Sequence, residues 1–466
     1  MNDFIPVNEP IFTGNERKYT QECIDSGWIS SEGPFVERFE QEFAKRIGRK
    51  YGVAVSSGTA ALDVSIAALD IGPGDEVIMP TFTIISCASS VIKAGATPVL
   101  VDCNPDNWNI SVDQIESLIT PSTVAIMAVH IYGLPVDMDP IFSLAKKYNL
   151  IIIEDAAEVI GQTYHEKPCG ALGDISVVSF YPNKHITTGE GGMVVTDDIQ
   201  VANRCRSLRN LCFQPNQRFV HEELGWNYRM SNIQAAIGCA QLEKLDEHIK
   251  RKRTIGKKYS GIFKDIKGIR KPLLKTDYAE NIYWVYGVVL EDALEVNVKL
   301  MMGLLEEHNI GTRPFFWCMH EQPVFKRMGL FKKDNFPVAE QLSRRGFYFP
   351  SGLSLTDRQV ERVGDAFKEI LSKFNNLLDL GGGIGIWSDF FLKNDLQVSL
   401  VEKELNFIDQ ARSLIESKNI SFHQCDVNDF NFKKNSFDII FIYLIVSLKF
   451  SSFKEYIFPL SSTPMR

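Results

Sequence analysis

Residues Ser179 to Gly192, SFYPNKHITTGEGG, hold the most reactive pattern in the chain. An apolar run (Ile175, Val177, Val178, Phe180) leads to Lys184, in a loop that closes on Gly189, Glu190, Gly191 and Gly192. A lysine buried at a strand's end loses hydration, its pKa falls, and the free amine becomes a nucleophile suited to Schiff-base chemistry. A surface lysine in a glycine-rich turn fits the local pattern equally well, so other segments must decide.

Two upstream segments supply what a lysine-bound pyridoxal phosphate (PLP) requires. Ile151-Ile152-Ile153-Glu154-Asp155 reads as a buried strand ending in acid. A carboxylate there can pair with a protonated pyridine nitrogen and keep the ring an electron sink, although acids often cap strand ends. Val53 to Leu62 (VAVSSGTAAL) reads as a strand, a small-residue turn and an apolar helix through about Leu69. A helix N-terminus offers free N–H groups and a positive dipole end to a phosphate. Gly58 lets the backbone come close, and Ser57 and Thr59 add hydroxyls; a plain Ser/Thr N-cap gives the same pattern. Each signal is weak alone, and the ordered set is strong.

On these residues the chain resembles the DegT/DnrJ/EryC1/StrS sugar aminotransferases, a branch of the fold-type I PLP enzymes. The likeness runs from about Ile5 to about Leu371. It includes DSGWISSEGPFVERFEQEFA (Asp25 to Ala44), GDEVIMPTFT (Gly74 to Thr83), GATPVLVD (Gly95 to Asp102) and HIYGLPVDM (His130 to Met138). It continues through IIEDAAEVIG (Ile152 to Gly161), GWNYRMSNIQAAIG (Gly225 to Gly238) and TRPFFWCMHEQP (Thr312 to Pro323). The resemblance implies transfer of an amino group from glutamate to a nucleotide-linked 4-keto-6-deoxyhexose, with GDP and carbon 4 favoured, for O-antigen or another surface glycan.

The same resemblance assigns roles. Lys184 matches the lysine that holds PLP and shuttles the proton, Asp155 the pyridinium partner, and Glu158 the residue beside the ring hydroxyl. Ser179, Thr59 and the backbone at Gly58 match phosphate ligands. Asn227 matches an asparagine that reaches the phosphate from the neighbouring subunit, which implies an obligate homodimer with shared active sites. Arg313 and His320 lie in the segment that approaches the sugar; a surface arginine and a packing histidine are the alternatives. His185 is a further substrate-facing candidate. In a related 3-dehydratase a histidine replaces the lysine, but here the lysine holds the sixth place of the motif and His185 the seventh. Transamination is therefore expected, with a His185-based dehydratase and a non-catalytic sensor as the other readings. Ile84 stands where relatives carry the aromatic that stacks on PLP, with Phe82 two residues earlier.

Composition agrees with a cytoplasmic metabolic enzyme. The 466 residues suggest about two to three domains, and 45% hydrophobic content allows large cores. A net charge of -8 argues against nucleic-acid binding. Nine cysteines without a CxxC pair fit a reducing compartment and no metal site. The N-terminus lacks a signal-peptide core, and the run Ile439 to Leu448 is too short to span a bilayer, so no membrane partner is expected.

The expected fold class is α/β. Strands are read at Glu76–Met79, Thr97–Val101, Val124–Val129, Leu150–Ile153, Ile175–Phe180 and Met193–Thr196, with helices such as Pro140–Tyr148 between them. This alternation predicts a large, mostly parallel sheet. Residues 1–245 form that domain, 246–371 a small α+β domain, and 372–466 a third unit. The basic run Lys250 to Arg253 reads as a solvated helix face.

The third unit changes character. Asn375 to Gly385 reads as a strand entering a D-x-G-x-G-x-G turn (Asp379, Gly381, Gly383, Gly385), followed by a second strand, Val398 to Val401, and Glu402. The pattern resembles a class I S-adenosylmethionine (SAM) methyltransferase, with Glu402 at the ribose hydroxyls, Asp426 near the adenine and Phe437 to Ile440 as a further strand. The likeness stops early, so a truncated Rossmann-like fragment with an open sheet edge is expected. Its loss should leave amination intact.

Overall fold

The computed structural model describes residues 4–214, 216–217, 219–292, 294, 296–332 and 334–379, and the segments 398–402 and 420–424. Two compact units result, Met1–Ile370 and Leu371–Arg466.

The first unit is built on a seven-stranded sheet of β1 (Tyr51–Val55), β2 (Glu76–Pro80), β3 (Thr97–Val101), β4 (Thr123–Val129), β5 (Ile151–Asp155), β8 (Ile175–Ser179) and β9 (Gly192–Thr196). A short hairpin of β6 (Thr163–Tyr164) and β7 (Lys167–Pro168) interrupts the series. The spatial order is β1-β9-β8-β5-β4-β2-β3. β9 runs antiparallel to both its neighbours, and the remaining pairings are parallel. The mostly parallel sheet is thus as expected, with strand ends within a residue or two of those read from the sequence.

Near-continuous apolar runs form these strands because both faces are covered. Successive residues point to opposite faces. Val53, Val77, Met127, Ile153 and Val177 join one core, while Ala54, Ile78, Ala128, Ile152 and Val178 join the other. Parallel packing brings the carboxyl ends of β1, β2, β4, β5 and β8 to one edge, where α/β sheets open a crevice for ligands.

The smaller part of this unit is an antiparallel sheet of β10 (Ile269–Arg270), β11 (Tyr286–Leu290), β12 (Arg313–Pro314) and β13 (Gly346–Phe349), ordered β10-β11-β13-β12. Its core is aromatic, with Phe263 and Phe367 packed around Phe349. The chain's first residues belong here too. Ile5 bridges to Ile310, the Ser351 N–H donates to the Val7 carbonyl at 2.9 Å, and the Asn8 amide donates to the Pro182 carbonyl at 2.9 Å.

The helix Leu245–Ile262 corrects one expectation. Lys252 is not on a solvated face: it is buried together with Leu245, His248, Ile249, Ile255 and Tyr259. Spacings of three and four residues put all of these on one side of the helix.

A second correction concerns residues 375–379. The helix Asp357–Asp379 continues through them where a strand was read, and Asp379 is its last residue. Val360, Val363, Phe367, Ile370, Leu371, Phe374 and Leu378 prolong one helical period across that stretch. In the second unit, β14 (Val398–Glu402) pairs in parallel with β15 (Ile420–Gln424). The strand read at Val398–Val401 is present and ends at Glu402. Gly381, Gly383, Gly385, Asp426 and the strand at Phe437–Ile440 lie outside the described residues. Among the described residues, no helix is long and apolar enough to cross a membrane.

Candidate active site

At the carboxyl edge of the large sheet lies a cleft of about 360 Å³. Lys184 enters it from the loop after β8, and its N–H donates to the Tyr181 carbonyl at 2.9 Å. The amine lies 3.8 Å from Glu158 Oε1 and 4.0 Å from the centroid of the Trp284 ring. Burial pushes the Lys184 amine below its ordinary range, although Glu158 and Asp155 pull the other way. Burial likewise pushes the Glu158 carboxyl up, against the opposing pull of Lys184. Glu158 is held from behind, its Oε2 accepting the Tyr132 N–H at 2.8 Å. Tyr132 sits at φ 55° beside Gly133 at φ 103°. A side chain on Gly133 would meet the Trp284 and Tyr283 nitrogens at 2.6 Å, so this turn demands glycine.

Asp155 ends β5. Its Oδ1 accepts the Ala157 N–H at 3.0 Å, and the Cys87 thiol donates to Oδ2 at 3.3 Å. Burial raises this carboxyl, a group short of a full cationic partner.

The third corner is the helix Gly58–Ala68. Ser57 caps it by accepting the Ala60 N–H at 3.0 Å, and Thr59 Oγ1 lies 2.7 Å from Ser86 Oγ. A Cβ on Gly58 would stand 2.8 Å from the Ser179 Cβ. Glycine therefore leaves the N-terminal turn and the Ser179 hydroxyl open to one small volume, and Ser57, Gly58, Thr59, Ser86 and Ser179 all line the cleft.

These observations fit PLP. The site offers a buried amine with depressed proton affinity, a buried acid lacking a full cation, and a helix N-terminus ringed by hydroxyls at a cradle a Cβ would fill.

Other expected residues lie elsewhere. Asn227 is exposed and outside the cleft of its own chain, bridging to Asn210. Arg313 is exposed on β12 opposite Tyr348, which lines the cleft. His185 is corrected: its ring is fully buried away from the cleft lining, with neither nitrogen hydrogen-bonded. Ile186, next in the chain, is fully buried as well. His320 is corrected also. It is buried outside the cleft lining, with Nδ1 2.8 Å from Thr81 Oγ1 and Nε2 3.1 Å from Glu340 Oε1, so both ring nitrogens are engaged away from the cleft.

Phe82 is fully buried against Tyr132, Phe315 and Phe316, so it is no substitute for the missing stacking aromatic. Ile84 does face the cleft. The aromatic wall comes from Tyr181, Trp284, Phe316 and Tyr348. Sequence reading missed Trp284, Phe316 and Tyr348; the dense aromatics of NIYWVYG and TRPFFW were the available signal.

His130, Glu154 and Cys169 bring their ligand atoms within 4.8 Å of one another, outside the cleft lining. The Glu154 oxygens are nevertheless occupied. They accept N–H groups of Gly170 (2.6 Å), Leu172 (2.8 Å) and Gly173 (3.1 Å), the Ser176 hydroxyl (2.7 Å) and His130 Nε2 (3.1 Å). The cluster is a structural hub.

A lysine and an acid at the carboxyl edge of a mostly parallel sheet, facing a phosphate-ready helix, define a PLP-type transferase site. Residues 10–368 match the DegT/DnrJ/EryC1/StrS aminotransferase family, and the chain belongs to that family as a sugar aminotransferase. Enzymes of this family depend on PLP. GDP-perosamine synthase of Caulobacter vibrioides is 43% identical over 368 residues, covering 79% of this chain and 98% of that protein. GDP-perosamine synthase of Escherichia coli O157:H7 is 42% identical over 369 residues, covering 79% and 99%. Among solved structures, the aminotransferase from Psychrobacter cryohalolentis superposes with a TM-score of 0.74 at 30% identity, over 80% of this chain and 100% of that one. Residues 377–457 match a methyltransferase domain family.

Proposed function

We propose that the chain moves an amino group from glutamate to the 4-keto carbon of a GDP-linked 4-keto-6-deoxyhexose, most simply GDP-4-keto-6-deoxymannose, to give GDP-perosamine. The observation that carries this reading is the Lys184 amine, buried 3.8 Å from Glu158 in a chain 43% identical to a GDP-perosamine synthase.

Lys184 would hold PLP covalently, Asp155 its ring nitrogen, Glu158 its ring hydroxyl, and the Gly58 turn with Thr59 and Ser179 its phosphate. When bound, PLP supplies an electron sink for negative charge at the carbon that gains or loses the amine. The chain's own work is binding and proton transfer. A lysine nitrogen with depressed proton affinity takes and returns a proton more readily than a solvated one. Trp284, Phe316 and Tyr348 wall the cleft against water, which strengthens each charge interaction inside. The 3-dehydratase reading loses its base, because the His185 ring does not reach the cleft.

Asn227, exposed and outside the lining of its own cleft, suits a role in a neighbour's site, and the proposal includes a homodimer with shared sites. The test mixes inactive Lys184→Ala and Asn227→Ala proteins. Recovered activity on subunit exchange supports sharing, and none sinks it. The cytoplasm is the proposed compartment, since the cysteines among the described residues are all free. For the second unit we propose SAM binding, tested by calorimetry on the full chain against a chain stopped after Leu371.

The decisive experiment incubates purified protein with glutamate and a panel of GDP-, dTDP- and UDP-linked keto sugars. Amine product from the GDP 4-keto sugar is the expected result; product only from another sugar would overturn the assignment.

A further inference from the structure

Lys252 has no part in the chemistry above, yet its placement is costly. It lies on the inner face of the helix Leu245–Ile262 and is only 1% exposed. Its ammonium donates to the Trp284 carbonyl at 2.9 Å and the Ser351 carbonyl at 2.6 Å. Among the described residues no carboxylate pairs with it. An ammonium taken from water without an acid partner loses hydration that nothing fully replaces, a loss that an apolar side chain of the same length would avoid. Burial brings Lys252 down to about 7, and Lys184 adds to that push, so the two amines feel each other's field. His185, with its unpartnered ring, and His248, whose Nδ1 lies 2.9 Å from the His185 carbonyl, are the other titratable groups on this side. Glu158, Asp155 and Cys87 act on Lys184 with the opposite sign, raising its proton affinity.

The group that Lys252 holds explains its presence. Trp284 is fixed at two points: its carbonyl by Lys252, and its indole Nε1–H by the Asn183 carbonyl at 2.8 Å. Asn183 precedes Lys184, and the indole centroid stands 4.0 Å from the Lys184 amine. Such a contact aligns a cation on a ring face. The second bond, to Ser351, ties the same ammonium to a residue whose hydroxyl accepts the Tyr286 N–H at 2.9 Å. One buried side chain thus joins the long helix to the Trp284 backbone and to Ser351, which braces the same strand at Tyr286.

We propose that Lys252 is a positioning residue for the transamination site: it sets Trp284, and Trp284 sets where the Lys184 amine stands beside Glu158. The inference rests on Lys184 being the lysine that holds the cofactor.

The test uses the full chain, stripped of PLP and then remixed with it, and follows covalent capture by stopped-flow absorbance. Lys252→Met keeps the length and removes the donors. In the Trp284 background it should slow capture on the order of tenfold, as small misplacements of a reacting group do. In a Trp284→Ala background it should cause no further slowing. Equal slowing in both backgrounds, or none in either, would overturn the proposal. Lys252→Gln, which keeps one donor, should recover part of the rate; should Lys252→Met fail to fold, the same cycle run with Lys252→Gln decides by the same criterion. Borohydride reduction and peptide mapping accompany the kinetics. A label on a residue other than Lys184 overturns the underlying assignment too, whereas a label on Lys184 with background-independent slowing removes this inference alone.

Discussion

The Glu158 carboxylate stands 3.8 Å from the Lys184 amine, and both side chains are almost excluded from water. Each group alone would shed its charge on burial, and each supports the charge of the other. The pair therefore sets how readily Lys184 gives up its proton.

Glu158→Gln removes one half of that balance. Glu158 raises the proton affinity of Lys184 while burial lowers it, so in the variant burial acts with less opposition. The amine should lose its proton at lower pH. PLP capture measured against pH should show its acid limb displaced downward; an upward displacement, or no change, would contradict this account.

Lys184→Ala should abolish amine product by at least about 10³-fold. Borohydride should then leave no pyridoxyl label on the chain. A label of wild-type intensity in this variant would mean that another lysine holds the cofactor.

Gly58→Ala tests the phosphate cradle. The new methyl would stand 2.8 Å from the Ser179 Cβ, inside the space the phosphate needs. PLP affinity should fall by about tenfold or more, about 1.4 kcal/mol. Thermal stability without cofactor should fall as well, because the strand residue Ser179 must shift to admit the methyl, a strain that outweighs alanine's better helix propensity. Unaltered PLP binding would move the phosphate elsewhere.

Glu154 governs acid stability. Burial alone would raise its carboxyl, but hydrogen bonds from His130, Gly170 and Ser176 overcome that and hold it at about 2, against an ordinary value of 4.5. A carboxyl lowered on folding stabilises fully above 4.5, and the gain is lost as pH falls through about 2. The linkage is worth roughly 3 kcal/mol. Urea unfolding at stepped pH should show Glu154→Gln less stable than wild type at neutral pH and flatter across the acid range. Parallel curves for the two proteins would refute it.

Stopping the chain after Leu371 should leave soluble, PLP-loaded protein with unchanged amination, because the first compact unit closes at Ile370. Insoluble or cofactor-free product would show that the second unit is needed.

Much of this site was legible because its chemistry sits on local motifs. Lys184, Asp155 and Gly58 each follow a short apolar strand, and a parallel sheet gathers such strand ends whatever their separation along the chain. Trp284 and Lys252 had no such marker. Their partners lie 32 to 101 residues away in sequence, and a basic run looks solvated until the period of its helix is followed through Leu245, Ile249 and Tyr259. His185 and His320 misled for the same reason. Histidine next to a catalytic motif says nothing about which way its ring turns, and tertiary packing decided that. The strand read at Asn375 failed where apolar spacing suited a longer helix equally well.

Residues 5–8 are among the last parts of the aminotransferase unit to find their places. Ile5, Val7 and Asn8 lean on Ile310, Ser351 and Pro182, so the opening segment must wait, unpaired, until nearly the whole aminotransferase unit has emerged. It then closes over the small sheet and grips the loop that carries Lys184. Assembly of the reactive centre is in this way deferred until Ser351, late in the aminotransferase unit, has emerged.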